Sequence, residues 1–224
     1  MPHQKQTAGI ILAAGMSQRF GRPKQLLKLK NKPLLEWVLD AALSSRLAKV
    51  VLVLGHEHPK IIQALGLKSN HSRLQVVTNF RYREGQSSSL QAGLLAIQPQ
   101  ISSVMFLLGD QPMLKTATID HMLDKFWHSK RDIGVPIWQG KRGNPTIFSR
   151  AMYCHLMALK GDIGARQIIR SNPQHVLYSK VEDPLCFFDI DSPQDYLNLQ
   201  RLLTITYCQA DKSTEKSTVY TTDL

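Results

Sequence analysis

The chain has 224 residues, 43% of them hydrophobic and 20% charged, an ordinary balance for a globular protein with one sizeable domain. Twenty-eight Lys and Arg against 17 Asp and Glu give a net charge of +11, so some face should attract anions; the cations are scattered and no zinc-finger, homeodomain or RNP pattern occurs, which favours nucleotides over nucleic acid. No apolar run approaches the roughly 20 residues of a membrane helix, and three cysteines, Cys154, Cys186 and Cys208, give neither metal-type spacing nor a disulfide framework, which fits a reducing cytoplasm.

The run Gly9-Ile10-Ile11-Leu12 reads as a buried strand and ends in Ala13-Ala14-Gly15, small residues that let backbone approach a ligand closely. The loop after it carries Arg19, Arg22 and Lys24, which suit a triphosphate whose oxygens are gripped by exposed backbone N–H groups. It is neither a Walker A loop nor a dinucleotide GxGxxG, because five residues separate Gly15 from Gly21 and the lysine comes three later. A structural turn with solvated charges is the plainer alternative. The stretch Gly9 to Met16 also has the look of a signal-peptide core, but its continuation into Arg19-Phe20-Gly21-Arg22-Pro23-Lys24 favours a nucleotide loop.

Leu34, Leu35, Val38, Leu39, Ala42 and Leu43 predict an amphipathic helix over 33–43 with Pro33 in its first turn. A buried strand over 50–54 follows, closed by Gly55; His56 and His58 lack further nearby ligands, so a strand-end loop is preferred there to a metal site. After a short helix over 61–65 and a strand over 74–77, Glu84-Gly85-Gln86-Ser87-Ser88-Ser89-Leu90 opens another helix, which one serine should cap while free N–H groups point outward. On physics alone, a plain capped helix and a binding segment stand level there.

The run 103–108 is apolar from Val104 onward, as a central strand covered on both faces should be, and ends in Gly109-Asp110-Gln111-Pro112. A carboxylate at the carboxyl end of a central parallel strand lies at the crevice where open α/β sheets bind ligands, which makes Asp110 the leading metal ligand. Beyond a helix over 119–127, the segments 133–138 and 146–148 read as an extended pair with a Gly-rich connection. A helix over 149–159 leads to Gly161-Asp162-Ile163-Gly164-Ala165-Arg166, a helix start at which either Arg166 meets an acceptor phosphate or Asp162 is simply the N-cap. Phe187-Phe188-Asp189-Ile190-Asp191 closes the core, Ser192-Pro193 with Asp195 starts a last helix, and the polar segment 208–224 reads as a disordered tail.

The pattern Leu12-Ala13-Ala14-Gly15-x-Ser17-x-Arg19-x-Gly21-x-Pro23-Lys24 resembles the signature loop of the nucleotidyltransferases that share a Rossmann-like core. With Gly109-Asp110-Gln111-Pro112, the chain is most similar to the molybdenum cofactor cytidylyltransferases. The resemblance covers roughly 7–207 and implies one Rossmann-like three-layer α/β domain over 1–207, mainly parallel with a small antiparallel insertion. It implies nucleotide binding by Leu12, Ala13, Ala14, Gly15, Lys24, Gly85, Ser87, Ser88 and Asp110, and catalysis by Arg19, Lys24 and Asp110. The acceptor would meet Gln111, Pro112, Arg142, Gly143 and Asn144, joined by Gly164 and Arg166. Asn144 stands where many members carry another residue.

By the same resemblance Asp110 and Asp191 hold Mg²⁺, with Asp189 as the fallback. The implied reaction transfers CMP from CTP to the phosphate of a molybdopterin-type cofactor and releases pyrophosphate, for maturation of a molybdenum hydroxylase, with neither nucleic acid nor membrane as partner. No covalent nucleophile is required. Ala14, where guanylyltransferase relatives usually have glycine, should narrow the base pocket and favour CTP over GTP. The alternatives are cytidylyl or guanylyl transfer to another phosphorylated acceptor, such as a methylerythritol phosphate, and a maturation chaperone that binds the finished cofactor.

Overall fold

The apolar run near the start of the chain forms β1, Thr7–Ala13, with all but one of its residues buried. The computed structural model describes residues 5–66 and 71–215, and the chain divides into two units, Met1–Phe188 and Asp189–Leu224. In the first unit β1 is followed by a hairpin of β2 (Lys28–Leu29) and β3 (Lys32–Pro33), then α1 (Leu34–Leu43), β4 (Lys49–Leu54), α2 (His58–Leu65), β5 (Leu74–Thr78), α3 (Gln86–Leu95), β6 (Ser103–Leu108) and α4 (Thr116–Trp127). Next come β7 (Ile133–Trp138), β8 (Lys141–Arg142), β9 (Thr146–Ser149), α5 (Tyr153–Met157), α6 (Arg166–Ser171) and β10 (Val176–Lys180). The second unit holds α7 (Pro193–Glu215).

Eight strands make one sheet in the order β10-β7-β9-β6-β1-β4-β5, with β8 paired to β7. β1 lies parallel to β6 and β4, and Leu12 is level with Leu108 on one side and Val53 on the other. β5 pairs in parallel with β4 and β10 with β7. β9 runs antiparallel to both β6 and β7, which is the insertion expected around residues 133–148. Alternation along the strands sorts the core. Ile11, Leu52, Leu54, Met105 and Leu107 pack with Leu39, Ile61 and Met122 from the helices of one face, while Ile10, Val51, Val53, Val104 and Phe106 pack with Leu90, Leu156 and Ile169 from the other. Successive strand residues point to opposite faces, so a continuous apolar run demands a helix layer on each, and the Rossmann-like three-layer arrangement follows.

Several local readings are corrected. Pro33 is the N-cap of α1 and not its first residue. The expected helix over 149–159 is a 3₁₀ turn, Arg150–Met152, followed by the short α5. The strands β2, β3 and β10 were not anticipated; β10 covers only Val176–Lys180, and its buried positions, Val176 and Ser179, are three apart, so it carries no period-two signal. No strand spans 187–191: Pro184–Phe187 is a 3₁₀ turn, started by Asp183, whose Oδ1 accepts from Leu185 N at 3.0 Å, and residues 188–191 join no ladder. Strand alternation therefore gives no ground for choosing Asp191 over Asp189. Helix α7 runs to Glu215, into the segment read as a tail, and residues 216–224 lie outside the described residues. Among the described residues no helix is long and apolar enough to cross a membrane.

Candidate active site

The ends of β1 and β6 are held edge to edge. Gly109 N donates to Leu12 O at 3.0 Å, and a Cβ at Gly109 would stand 2.9 Å from the Ala13 methyl, so glycine permits this approach. The chain then brings Asp110 against the loop after β1, where Lys24 Nζ donates to Asp110 Oδ2 at 2.6 Å, the two side chains being 17% and 21% exposed. Asp110 Oδ1 is buried and accepts no hydrogen bond among the described residues. A buried carboxylate oxygen without a donor is unfavourable, so the position invites a cation. Among the described residues no group of three or more His, Cys, Asp or Glu is arranged to hold a metal; a site of one or two carboxylates completed by water and phosphate oxygens suits Mg²⁺ and needs no larger cluster. His56 and His58 serve the strand-end loop, His56 Nδ1 facing the Tyr82 hydroxyl at 3.5 Å and His58 Nδ1 facing Gly55 O at 3.2 Å.

The loop between β1 and Lys24 turns through Ser17 at φ 53° and Gly21 at φ 61°, with Gly15, Arg19 and Arg22 exposed on its outer side. A Cβ on Gly15 would meet nothing within 4 Å; packing within the protein does not demand glycine there, whereas close approach of a ligand would. Ala14 behaves otherwise. It is 5% exposed, and its methyl stands 2.9 Å from where a Cβ on Gly55 would lie. The methyl therefore packs beneath the loop against Gly55. Gln25, which no sequence signal singled out, is 4% exposed and bonded to the loop backbone.

The segment expected to receive the nucleotide forms the start of α3, but no serine caps it. Its N-cap is Gly85, at φ 99°. The first N–H groups are taken within the protein: Gln86 N donates to Asp162 Oδ1 at 3.2 Å, Ser87 N to Gly161 O at 3.2 Å and Ser88 N to Gly85 O at 3.3 Å. Ser87 and Ser88 are buried, the Ser87 hydroxyl donating to Gly161 O at 2.7 Å and the Ser88 hydroxyl to Gly85 O at 2.8 Å. Asp162 thus caps α3; its own helix, α6, has Ala165 as N-cap without a side-chain bond. A Cβ on Gly85 would lie 2.3 Å from the carbonyl carbon of Gly161, so the two segments are in direct backbone contact.

Beside this junction lies a cavity of about 520 Å³ at the ends of β1 and β6, reaching Val135 in the middle of β7. It gathers Arg142, Gly143, Asn144, Gly164 and Arg166 from the expected acceptor set, together with Leu12. Gln111 and Pro112 are buried after β6 and do not line it. Arg170, one helical turn beyond Arg166, lines it as well and went unnoticed in the sequence, although the four-residue spacing places both on one helix face. Gly143 is close-packed, since a Cβ there would enter the Phe187 ring at 2.2 Å. In the second unit, Asp195 Oδ2 accepts from Ser192 N at 2.7 Å and Asp191 N at 3.2 Å, while Asp195 N donates to Ser192 Oγ at 3.2 Å, a reciprocal cap at the helix start read from the sequence.

A Rossmann-like sheet whose central strands end in a cation-bearing loop and a lysine-paired carboxylate has the architecture of a nucleotidyltransferase. Residues 9–176 match the MobA-like NTP transferase domain, and the chain belongs to that family. It is 29% identical over 204 residues to the purine catabolism protein PucB of Bacillus subtilis, covering 88% of this chain and 97% of that protein. The nicotine blue oxidoreductase of Paenarthrobacter nicotinovorans is 28% identical over 200 residues, with 85% and 95% covered. The molybdenum cofactor cytidylyltransferase of Escherichia coli is 25% identical over 196 residues, with 87% and 96% covered. Rv0371c of Mycobacterium tuberculosis superposes with a TM-score of 0.78 at 29% identity over 88% of this chain and 98% of its own. It has also been solved in complex with manganese, with a TM-score of 0.71 at 28% identity over 88% and 99%.

Proposed function

We propose that this nucleotidyltransferase transfers CMP from CTP to the phosphate of a molybdopterin-type cofactor, with Mg²⁺ and with release of pyrophosphate, ahead of cofactor delivery to a molybdenum hydroxylase. The observation that carries the reading is the Lys24–Asp110 pair, with one carboxylate oxygen engaged and the other buried without a donor at the joined ends of β1 and β6. The cytidylyl donor and the molybdenum cofactor acceptor are supported by the Escherichia coli relative and by the Gly109-Asp110-Gln111-Pro112 motif.

In this reading the loop backbone, exposed from Gly15 onward, grips the triphosphate, and Arg19 and Lys24 offset its charge. Asp110 holds the Lys24 ammonium in place beforehand, so little reorganisation is needed when phosphate arrives. Asp110 also offers Oδ1 to Mg²⁺, which when bound supplies charge neutralisation at the phosphate oxygens. Arg142 and Arg166 hold the acceptor's anionic end in the cavity that Leu12 shares. Since Leu12 leads directly into the phosphate loop, an acceptor seated there approaches the α-phosphorus from the cavity side, and positioning supplies much of the rate. The acceptor phosphate is itself the nucleophile.

The test is a panel of four nucleoside triphosphates with purified molybdopterin cofactor, following pyrophosphate. Release dependent on CTP and cofactor together is expected. Equal turnover of GTP and CTP overturns the donor assignment, and CTP-dependent release with another phosphorylated acceptor alone overturns the acceptor.

A further inference from the structure

The phosphate loop is held open from beneath by one buried amide. Gln25 Nε2 donates to Ala13 O at 2.9 Å and to Gly15 O at 3.3 Å. Its Oε1 accepts from the Ser17 hydroxyl at 3.3 Å, and that hydroxyl in turn accepts from Lys24 N at 3.1 Å. Both ends of the loop, Ala13 to Ser17 and Lys24, are thereby tied to a single side chain that is 4% exposed.

The consequence follows from peptide geometry. These peptide bonds are trans, so each carbonyl points opposite to the N–H of the next residue. Drawing Ala13 O and Gly15 O inward to Gln25 turns the N–H groups of Ala14 and Met16 away from it. Ala14 O is drawn to a different donor, His56 N at 3.3 Å. Among the described residues the N–H groups of Ala14, Gly15, Met16 and Ser17 donate to nothing. Successive donors in a turn with a left-handed residue, here Ser17 at φ 53°, form the concave arrangement that receives anions.

We propose that Gln25 is a positioning residue for nucleotidyl transfer: its amide sets the outward aim of the loop N–H groups and the place of Lys24, and so governs affinity for the triphosphate. The proposal rests on the nucleotide reading above. Gln25 has no contact with the reacting atoms in this account. Its effect should fall on the triphosphate and not on the acceptor, whose cavity it does not line.

Two near-isosteric variants test it. Gln25→Met removes both donors, and Gln25→Glu removes them while keeping an acceptor for Ser17. Calorimetric titration with CTP and Mg²⁺ should show affinity about tenfold or more below wild type for each at neutral pH, the net worth of two ordinary hydrogen bonds, with KM for the acceptor unchanged. As pH falls and the carboxyl introduced by Gln25→Glu protonates, it regains a proton to donate; the affinity of Gln25→Glu relative to wild type should rise, whereas that of Gln25→Met should not. A purely packing role would give no such pH-dependent recovery. If Gln25→Met fails to fold, the Gln25→Glu variant carries the test. Affinities within twofold of wild type, or no recovery on acidification, overturn the proposal while leaving the nucleotide reading intact; a wild-type protein that binds no nucleoside triphosphate overturns both.

Discussion

Replacing Lys24 with methionine keeps the aliphatic stem, removes the ammonium, and leaves behind a carboxylate whose other oxygen already lacks a donor. In the native protein the pair is separated by 2.6 Å and each side chain is about four-fifths shielded, at 17% and 21% exposure. A hydrogen bond to a charged group contributes about 1.5–3 kcal/mol, and the carboxylate left alone adds a desolvation penalty on the order of 1 kcal/mol or more. Lys24→Met should therefore destabilise the fold by about 2–4 kcal/mol. Asp110→Asn retains an oxygen for Nζ and loses only the charge, a difference of about 1 kcal/mol. In the double variant neither charge is left unpaired, so its loss should fall short of the sum of the single losses by about 1 kcal/mol or more. Urea unfolding followed by circular dichroism measures all three. In the pyrophosphate assay each single variant should lose about a hundredfold in turnover, as removal of one preorganised group at developing charge typically does. Wild-type stability in Lys24→Met, or strict additivity in the double variant, would refute the energetic reasoning, and wild-type turnover would refute the placement at the triphosphate.

Two glycines should separate binding from folding: Gly15→Ala, whose Cβ meets nothing within 4 Å, should unfold within about 0.5 kcal/mol of wild type yet bind CTP more weakly. Gly85→Ala, at φ 99° and 2.3 Å from the Gly161 carbonyl carbon, should lose about 2 kcal/mol or more in the same unfolding assay. Arg166→Ala is expected to raise KM for the acceptor about tenfold and leave KM for CTP unchanged, a split that steady-state kinetics reads directly. The Ser149 hydroxyl, at 2.7 Å, and then His175, at 2.8 Å, hold the Asp132 carboxyl below its usual pKa against the opposing effect of burial. A depressed carboxylate stabilises the native state above its unfolded pKa of about 3.9, and that stability is lost as pH falls through the native value. The stability gap between wild type and Ser149→Ala should therefore narrow in acid unfolding below about pH 4; a gap that stays constant down to pH 2 would contradict the assignment.

The strand Ser103–Leu108 and the placement of Asp110 at its end were legible from sequence, because the five-residue apolar run 104–108 can be satisfied only by cover on both faces of a sheet. The Ser192–Asp195 cap was legible for the same kind of reason, since its bonds close within one helical turn. Such features depend on neighbours a few positions away. What lies across the chain was not legible. Lys24 reads as a triphosphate-loop cation, but its pairing with Asp110, 86 positions away, appears only once the sheet brings the two together. Asp162 reads as a cap for the helix that follows it, and only docking of Gly161 onto Gly85 shows that it caps a helix 76 positions earlier. Insertion of β9 between β6 and β7, and the burial of Gln25 under the phosphate loop, likewise follow from how the sheet closes. Local periodicity and capping set which segments are strands and helices; their partners are chosen by burial and hydrogen bonding that exist only once distant segments meet.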